Sequence, residues 1–447
     1  MPRSEHEAEP ARRSEHEAEA ARRPDRQAVP RDVAEHRPSA LDRALAHSRN
    51  VAVFGPVPGL DPDLLTMRLR SAAAAVPRLR LDPFSADGTW TRRTDSLVVD
   101  TIDDPRAATA AGDLPGSALG EIATVVRRHD PVPLRVAVCG DHLVVDHSHG
   151  LGDGRLAPAL LAVLLGSAPP AVGAALAHDA PAGSVRRALV DQIIRHPGRL
   201  AEVRRQRSDN ARTDVVAEPT PVDPRQILTL SATLPEDGVA ALRERIAGME
   251  GASDASATVA MWVAALHRAG IVTDDVVQVL VDCRRYLRRA DTGMGNLAIA
   301  LPIRVPAPVT PAAVRSRVRD ATGSAWPLAV LGLTSARARV RPGGVASPAP
   351  TADAVRTSAR TRLSISDIGR VSVFDGVIPA PPAPPPQLGA GIDPDGPEAL
   401  TLLVSEVGGA RTMSATFHAD VLDASAVSAA LTAMCRDPLA VLESAGS

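Results

Sequence analysis

His147-Ser-His-Gly-Leu-Gly-Asp-Gly154 lies between the clearest hairpin in the sequence and an apolar run. Upstream, Leu134, Val136 and Val138 alternate, Gly140-Asp141 supplies a turn and Leu143-Val-Val145 returns, so Pro133 to Asp146 reads as a β-hairpin. Downstream, Leu156 to Leu165 reads as an apolar helix. A strand ending in histidines, then a glycine-rich turn and an Asp-Gly before a helix, presents an imidazole at the end of an element. Imidazole suits general base work, because an unperturbed pKa of about 6.5 leaves it largely neutral near pH 7. Acyl transfer from a thioester needs one group to take the acceptor's proton. The thioester is already activated, so that chemistry requires neither a metal nor a covalent enzyme intermediate.

Outward from this motif the elements alternate. Ser39 to Leu45 reads as a short capped helix, Val51 to Phe54 as a strand, and Leu60 to Val76 as a helix that Asp61-Pro62 starts. An Arg-rich helix is expected from Val185 to Gln206, and Glu218 to Pro224 reads as a linker. Strand and helix signals then resume: strands at Ile227 to Leu234, Val276 to Asp282, Arg362 to Ile365, Leu400 to Val407 and Thr412 to Ala419. Helices are expected at Gly238–Ala247, Ser256–Ala269, Thr310–Ala321 and Ala424–Cys435, and a proline-rich loop at Pro379–Pro386. Interleaved elements of this kind indicate an α/β or α+β protein of two lobes. The boundaries expected are a tail over 1–37, an N-terminal lobe over 38–170, a connecting segment over 171–226 and a C-terminal lobe over 227–447. The tail carries two copies of a ten-residue polar unit, Ser4 to Arg13 and Ser14 to Arg23, with no face to bury, and is expected to be disordered.

Composition removes several classes. The 447 residues carry a net charge of -2 and 2% aromatics, which argues against nucleic acid as a partner. Lysine is absent, which excludes the usual phosphate-binding loop, and no G-x-S-x-G elbow supports a serine hydrolase. Cys139, Cys283 and Cys435 lie far apart, so a reducing cytoplasm is the expected compartment. No apolar stretch reaches the roughly 18–20 residues of a membrane span, although peripheral membrane contact stays open. His147-Ser-His149 has metallo-hydrolase spacing, but an H-x-H-x-D-H motif would need Asp and His where Leu151 and Gly152 stand. No metal is expected.

His149-Gly-Leu-Gly-Asp153-Gly154 resembles the second half of the H-H-x-x-x-D-G motif of the condensation-domain superfamily. That group includes nonribosomal-peptide condensation domains, acyl-CoA acyltransferases and bacterial wax ester synthase/diacylglycerol acyltransferases. Further segments extend the resemblance over about residues 38–440. Ser39-Ala-Leu-Asp42 is similar to the opening of the wax ester synthase branch, and Gly408-Gly-Ala-Arg411 also favours that branch. Val281-Asp-Cys-Arg284 with Gly295-Asn296 resembles the superfamily's D-x-R strand and its Gly-Asn. Ser366-Asp-Ile-Gly369 is similar to an S-N-x-G segment that lines a tunnel, with Asp367 where Asn is usual.

The resemblance implies a two-lobed chloramphenicol acetyltransferase-like α/β fold with a central tunnel between the lobes. It makes His149 the general base and Asp153 a motif aspartate that pairs with an arginine, Arg284 or its neighbour Arg285. Gly154 is expected to support the backbone. Ser148, which replaces the first motif histidine, is a candidate substrate contact together with Asn296, Ser366 and Gly369, although Asn296 also reads as a backbone cap and Ser366 as a turn serine. No bound cofactor is implied. The donor expected is acyl-CoA, with an acyl carrier protein as the alternative source of the thioester, and the acceptor an alcohol or amine. A noncatalytic scaffold of the same fold is the competing reading, motivated by Ser148 and Asp367.

Overall fold

Local sequence chemistry sets the element ends. The computed structural model describes residues 38–84, 90–93, 95–105, 116–181, 183–212, 215–223, 225–305, 307–340, 355–377 and 385–445. The tail expected over 1–37 and most of the Pro379–Pro386 loop fall outside them. Helix α1 (Ala40–Ala44) is opened by a capping box in which Ser39 and Asp42 satisfy each other's backbone N–H. Strand β1 (Arg49–Gly55) leads to α2 (Pro62–Ala75), which has Asp61 as its cap and Pro62 in its first turn. The short β2 (Leu81–Asp82), β3 (Thr91–Arg92) and β4 (Val99–Thr101) precede α3 (Ser117–Arg127). The hairpin follows as expected, β5 (Leu134–Cys139) and β6 (His142–Ser148), with Gly140 at a positive φ of 58° in the turn. Next come α4 (Leu156–Leu165) and α5 (Pro170–Ala177).

Two expectations are corrected in the segment that follows. The single Arg-rich helix is two, α6 (Ser184–Arg195) and α7 (Arg199–Asp209), because Pro197-Gly198 cannot continue a helical turn. The stretch expected as a linker overlaps β7 (Val216–Pro221), which pairs antiparallel with β11 (Val355–Ser358). That ribbon has only two strands, so both are edges, where proline's missing donor is tolerated.

The second half runs β8 (Ile227–Leu234), α8 (Glu236–Ala247), α9 (Asp254–Arg268), β9 (Thr273–Asp282), β10 (Ala298–Arg304), α10 (Pro311–Gly323) and α11 (Trp326–Val340). After β11 come β12 (Thr361–Arg370), β13 (Gln387–Ile392), β14 (Ala399–Val407), β15 (Ala410–His418), α12 (Ala424–Arg436) and α13 (Pro438–Ser444). One sheet has the order β13-β1-β6-β5-β4 and the other β10-β9-β12-β14-β15-β8. In the second sheet β12 runs parallel to both β9 and β14. Strand β13 comes from the second half of the sequence yet pairs with β1, so the sheets are not divided where the sequence signals change.

Among the apolar clusters of the described residues, three large ones hold these layers. Trp262, Leu363 and Phe417 belong to the core of the second sheet. Phe54, Leu143 and Val145 face Leu160 and Leu161 of α4 in the first. On the other face of the first sheet, Val51, Val53 and Val144 meet Leu119, Ile122 and Val126 of α3. Helix α3 also joins the sheets, since the Thr124 hydroxyl accepts from Thr229 N–H at 2.9 Å and donates to its carbonyl at 3.2 Å. No described helix is long and apolar enough to cross a membrane.

Candidate active site

At the end of β6 the backbone turns sharply under tight control. The His149 N–H donates to the Ser48 carbonyl at 2.7 Å, and Gly152 N–H returns to the His149 carbonyl at 3.2 Å, closing a short 3-10 turn over His149–Leu151. Ser148 is buried; its hydroxyl donates to the Ala46 carbonyl and accepts from Gly150 N–H at 3.1 Å. A Cβ on Gly150 would lie 2.8 Å from the Asp42 carbonyl oxygen, so only glycine lets the turn pass α1 this closely.

Asp153 and Arg284 form the pair expected of them. Arg284 Nη1 donates to Asp153 Oδ2 at 2.6 Å, and the two side chains are 6% and 4% exposed. The remaining guanidinium hydrogens reach the Gly293 carbonyl at 2.9 Å, the Gly295 carbonyl at 3.0 Å and Asp282 Oδ1 at 3.3 Å. Arg285 instead lies over the Tyr286 ring, with its guanidinium carbon 5.6 Å from the ring centroid. Burial lowers the Arg284 pKa while Asp153 and Asp282 raise it; the net direction is upward.

Asn296 is the second tie between the halves of the chain. Its Nδ2 donates to the His149 carbonyl at 2.9 Å and to Asp42 Oδ1 at 2.8 Å. Asp42 is buried and also caps α1 through its other oxygen. Arg78 donates to the Leu151 carbonyl at 3.1 Å and to Asp179 at 2.8 Å. Sequence reasoning missed both Asp42, read only as part of an opening motif, and Arg78, which sits in an ordinary Pro-Arg-Leu-Arg turn. Neither position carries a local signal of its role.

The clamped backbone leaves the His149 ring free. The residue is half-buried; Nδ1 is buried without a hydrogen bond, while Nε2 makes none and is not enclosed among the described residues. Beyond the motif lies a cavity of about 960 Å³, walled by α4 and α5 on one side and by β9, β10 and β12 on the other. Asp153, Gly154, Arg284 and Ser366 border it; His149 does not. Ser366 is buried and lines the cavity, and its hydroxyl makes no hydrogen bond among the described residues. Asp367 also faces the cavity, where the enclosing protein pushes its pKa upward. Its Oδ1 accepts from Gly369 N–H at 2.9 Å.

No protein-family model matches the sequence, nor does any curated protein sequence. Solved structures do match in shape. A nonribosomal peptide synthetase, FmoA3 in its AMPPNP-bound form, superposes with a TM-score of 0.53 at 15% identity, over 93% of this chain and 43% of that one. The condensation domain of the Monacolin K polyketide synthase MokA gives 0.54 at 14% identity, over 93% and 98%. TRI3 trichothecene 15-O-acetyltransferase from Fusarium sporotrichioides gives 0.55 at 12% identity, over 91% and 94%. The chain has the condensation-domain fold. It spans less than half the length of the FmoA3 synthetase.

Within that condensation-domain fold, three of the expected site residues take the following places. Ser148 spends its hydroxyl on backbone groups of the turn, so it is a brace and not a wall of the cavity. Gly154 borders the cavity with open space where a Cβ would stand, and the need for glycine falls on Gly150. Gly369 adopts a φ of 63° at a register shift between β12 and β14, which bends the strand and presents Asp367 N-terminal to it. His147 follows Leu143 and Val145 onto the core side of β6, opposite Asn50 of β1. It is wholly buried, neither ring nitrogen has a partner, and burial first, then nearby His149, pushes its pKa down to about 3.

Proposed function

We propose that this chain is an acyltransferase that moves an acyl group from a thioester to an alcohol or amine, with His149 as general base. The observation that carries the reading is the contrast at His149: its backbone is fixed by Ser48, Gly152 and Asn296, while its ring has no hydrogen bond among the described residues, and Asp153 and Gly154 a few residues on line a cavity to which both halves of the chain contribute. A fixed main chain with an uncommitted imidazole is what general base catalysis needs.

In the reaction, His149 removes the proton of the acceptor's O–H or N–H. The acceptor heteroatom bonds to the thioester carbonyl carbon, the C–S bond breaks, and the departing sulfur takes the proton back from the imidazolium. The products are an ester or amide and a free thiol. Ser366, which lines the cavity, is in this reading the donor to the carbonyl oxygen as charge develops there. Asp153, Arg284 and Asn296 hold the turn.

Acyl-CoA is the donor we propose, and an alcohol the acceptor, as in wax ester and diacylglycerol synthesis. The fold shared with an O-acetyltransferase supports the alcohol. A second reading has a carrier protein deliver the thioester; the fold shared with synthetase condensation domains favours it. Thiol release from acyl-CoA and from acylated carrier protein, each with alcohol and amine acceptors, decides between them. Acceptor-dependent release that His149→Ala reduces by about 10²–10⁴-fold is expected. Full activity in that variant removes His149 from the mechanism. Silence with every donor, together with unchanged partner binding in the variant, leaves the scaffold role.

A further inference from the structure

Helices α6, α7 and α11 pack against one another and share an outer surface of uncommon composition. On the inner side, Val185, Ala188 and Leu189 of α6 meet Leu328 and Leu331 of α11, and Val203 of α7 joins the core of the second sheet. The outer face of a surface helix is normally polar. Here five of the twelve exposed large apolar side chains among the described residues lie on these three helices: Val190, Ile194, Leu200, Leu333 and Val340. Ile194, next to the break between α6 and α7, is 73% exposed. One such residue needs no explanation, but a group on neighbouring helices does.

Arginine surrounds these side chains. The three helices carry nine arginines against three carboxylates, Asp191, Glu202 and Asp209, in a chain whose net charge is -2. Arg187 pairs with Asp291 and Arg195 with Asp191. Arg186, Arg204, Arg205, Arg207, Arg337 and Arg339 are exposed and make no ion pair among the described residues. Helical spacing puts both kinds of side chain in the same stripes: Arg186, Val190 and Ile194 on α6, Leu200, Arg204 and Arg207 on α7, and Leu333, Arg337 and Val340 on α11. Such a surface fits a layered partner. Guanidinium groups spread sideways to phosphate oxygens, while the aliphatic side chains between them enter hydrocarbon just beneath.

We propose that the outer surface of α6, α7 and α11 docks on an anionic lipid surface, with the arginines on phosphate groups and Val190, Ile194 and Leu200 at the acyl boundary. An acidic protein would satisfy the arginines alone; aliphatic side chains set singly among the charges favour lipid. The proposal does not depend on the acyltransferase reading.

The experiment measures co-sedimentation of the full chain with vesicles of phosphatidylcholine alone and with vesicles in which about a third of the lipid is phosphatidylglycerol. Wild type should bind the anionic vesicles at least about tenfold more tightly, and that difference should shrink as salt rises from about 0.1 M to about 0.5 M. Arg204→Gln combined with Arg205→Gln should weaken binding by about tenfold, and Ile194→Ser by about threefold or more. Met67→Ser removes an apolar side chain of similar exposure from α2 and should bind as wild type. Circular dichroism melts check that each variant is folded. No vesicle binding, equal affinity for the two kinds of vesicle, loss of binding in Met67→Ser, or wild-type binding by the α6 and α7 variants would overturn the proposal. Capture of a purified acidic carrier protein through Arg204 and Arg205, without vesicle binding, would also overturn it and assign the surface to a protein partner.

Discussion

Arg284 Nη1 lies 2.6 Å from Asp153 Oδ2, and this buried contact joins the turn after β6 in the first half of the chain to the end of β9 in the second. Removing one partner of a buried pair leaves the other charge unmatched, typically at a cost of about 3–5 kcal/mol. Asp153→Ala should therefore lower the unfolding free energy, measured by denaturant titration, by about that amount. Arg284→Lys should rescue little, because lysine cannot reach Asp153, Asp282 and the carbonyls of Gly293 and Gly295 together. A fully stable Arg284→Lys protein would contradict this account.

Asn296 should matter to turnover through the His149 carbonyl. Asn296→Ala removes the donor that this carbonyl and Asp42 share, with a stability cost of about 1–3 kcal/mol. Because the residue holds the proposed base and does not border the cavity, kcat should fall more than KM rises. Steady-state kinetics on the variant, with its folded fraction checked by circular dichroism, test the split; a pure KM effect would point to substrate contact instead.

Gly150→Ala places a methyl group against the Asp42 carbonyl, where 2.8 Å is too short for carbon and backbone oxygen. The loss expected is about 1–3 kcal/mol from overpacking. Gly154→Ala, with nothing within contact distance, should be nearly neutral in stability. Thermal melts of the two variants should differ in that order, and the reverse order would refute it.

His147 gives the folded chain an acid sensitivity. Its ring has a pKa of about 3 when folded against 6.5 when exposed, because burial opposes the charge. Between those values the unfolded chain binds a proton that the folded chain refuses, so stability falls as pH drops from 6.5 toward 3 and is fully present above 6.5. His147→Leu should flatten the acid limb of the stability curve measured by urea unfolding. Superimposable limbs for the two proteins would show that another group sets it.

Legibility in the sequence follows the range of each interaction. The β5–β6 hairpin and α4 are local, and their alternation and apolar period place them almost to the residue. Arg284 was reachable only through the family resemblance, since nothing near it in the sequence points to Asp153. Asp42, Arg78 and Asn296 act on backbone carbonyls of the turn, contacts for which no residue pattern codes. The pairing of β7 was hidden by its prolines, and the helix break at Pro197-Gly198 by a long run of arginines around it. The role of Ser148 was hidden by a motif position that suggests substrate, while its short hydroxyl suits a bond to the adjoining backbone.

Strand β13 also has a meaning for synthesis. Its pairing with β1 is reinforced where Asp393 accepts the Arg49 N–H at 2.6 Å, across 344 residues of sequence. A nascent chain that has released the His149 turn from the ribosome therefore still lacks the strand that covers β1. Until that segment emerges, one edge of the first sheet has unpaired N–H and C=O groups, a template for wrong partners. Contacts this distant are slow to form. The first sheet is thus completed only after β8 to β12 of the second have been made, and the interval of exposure grows with every pause in translation before residue 387.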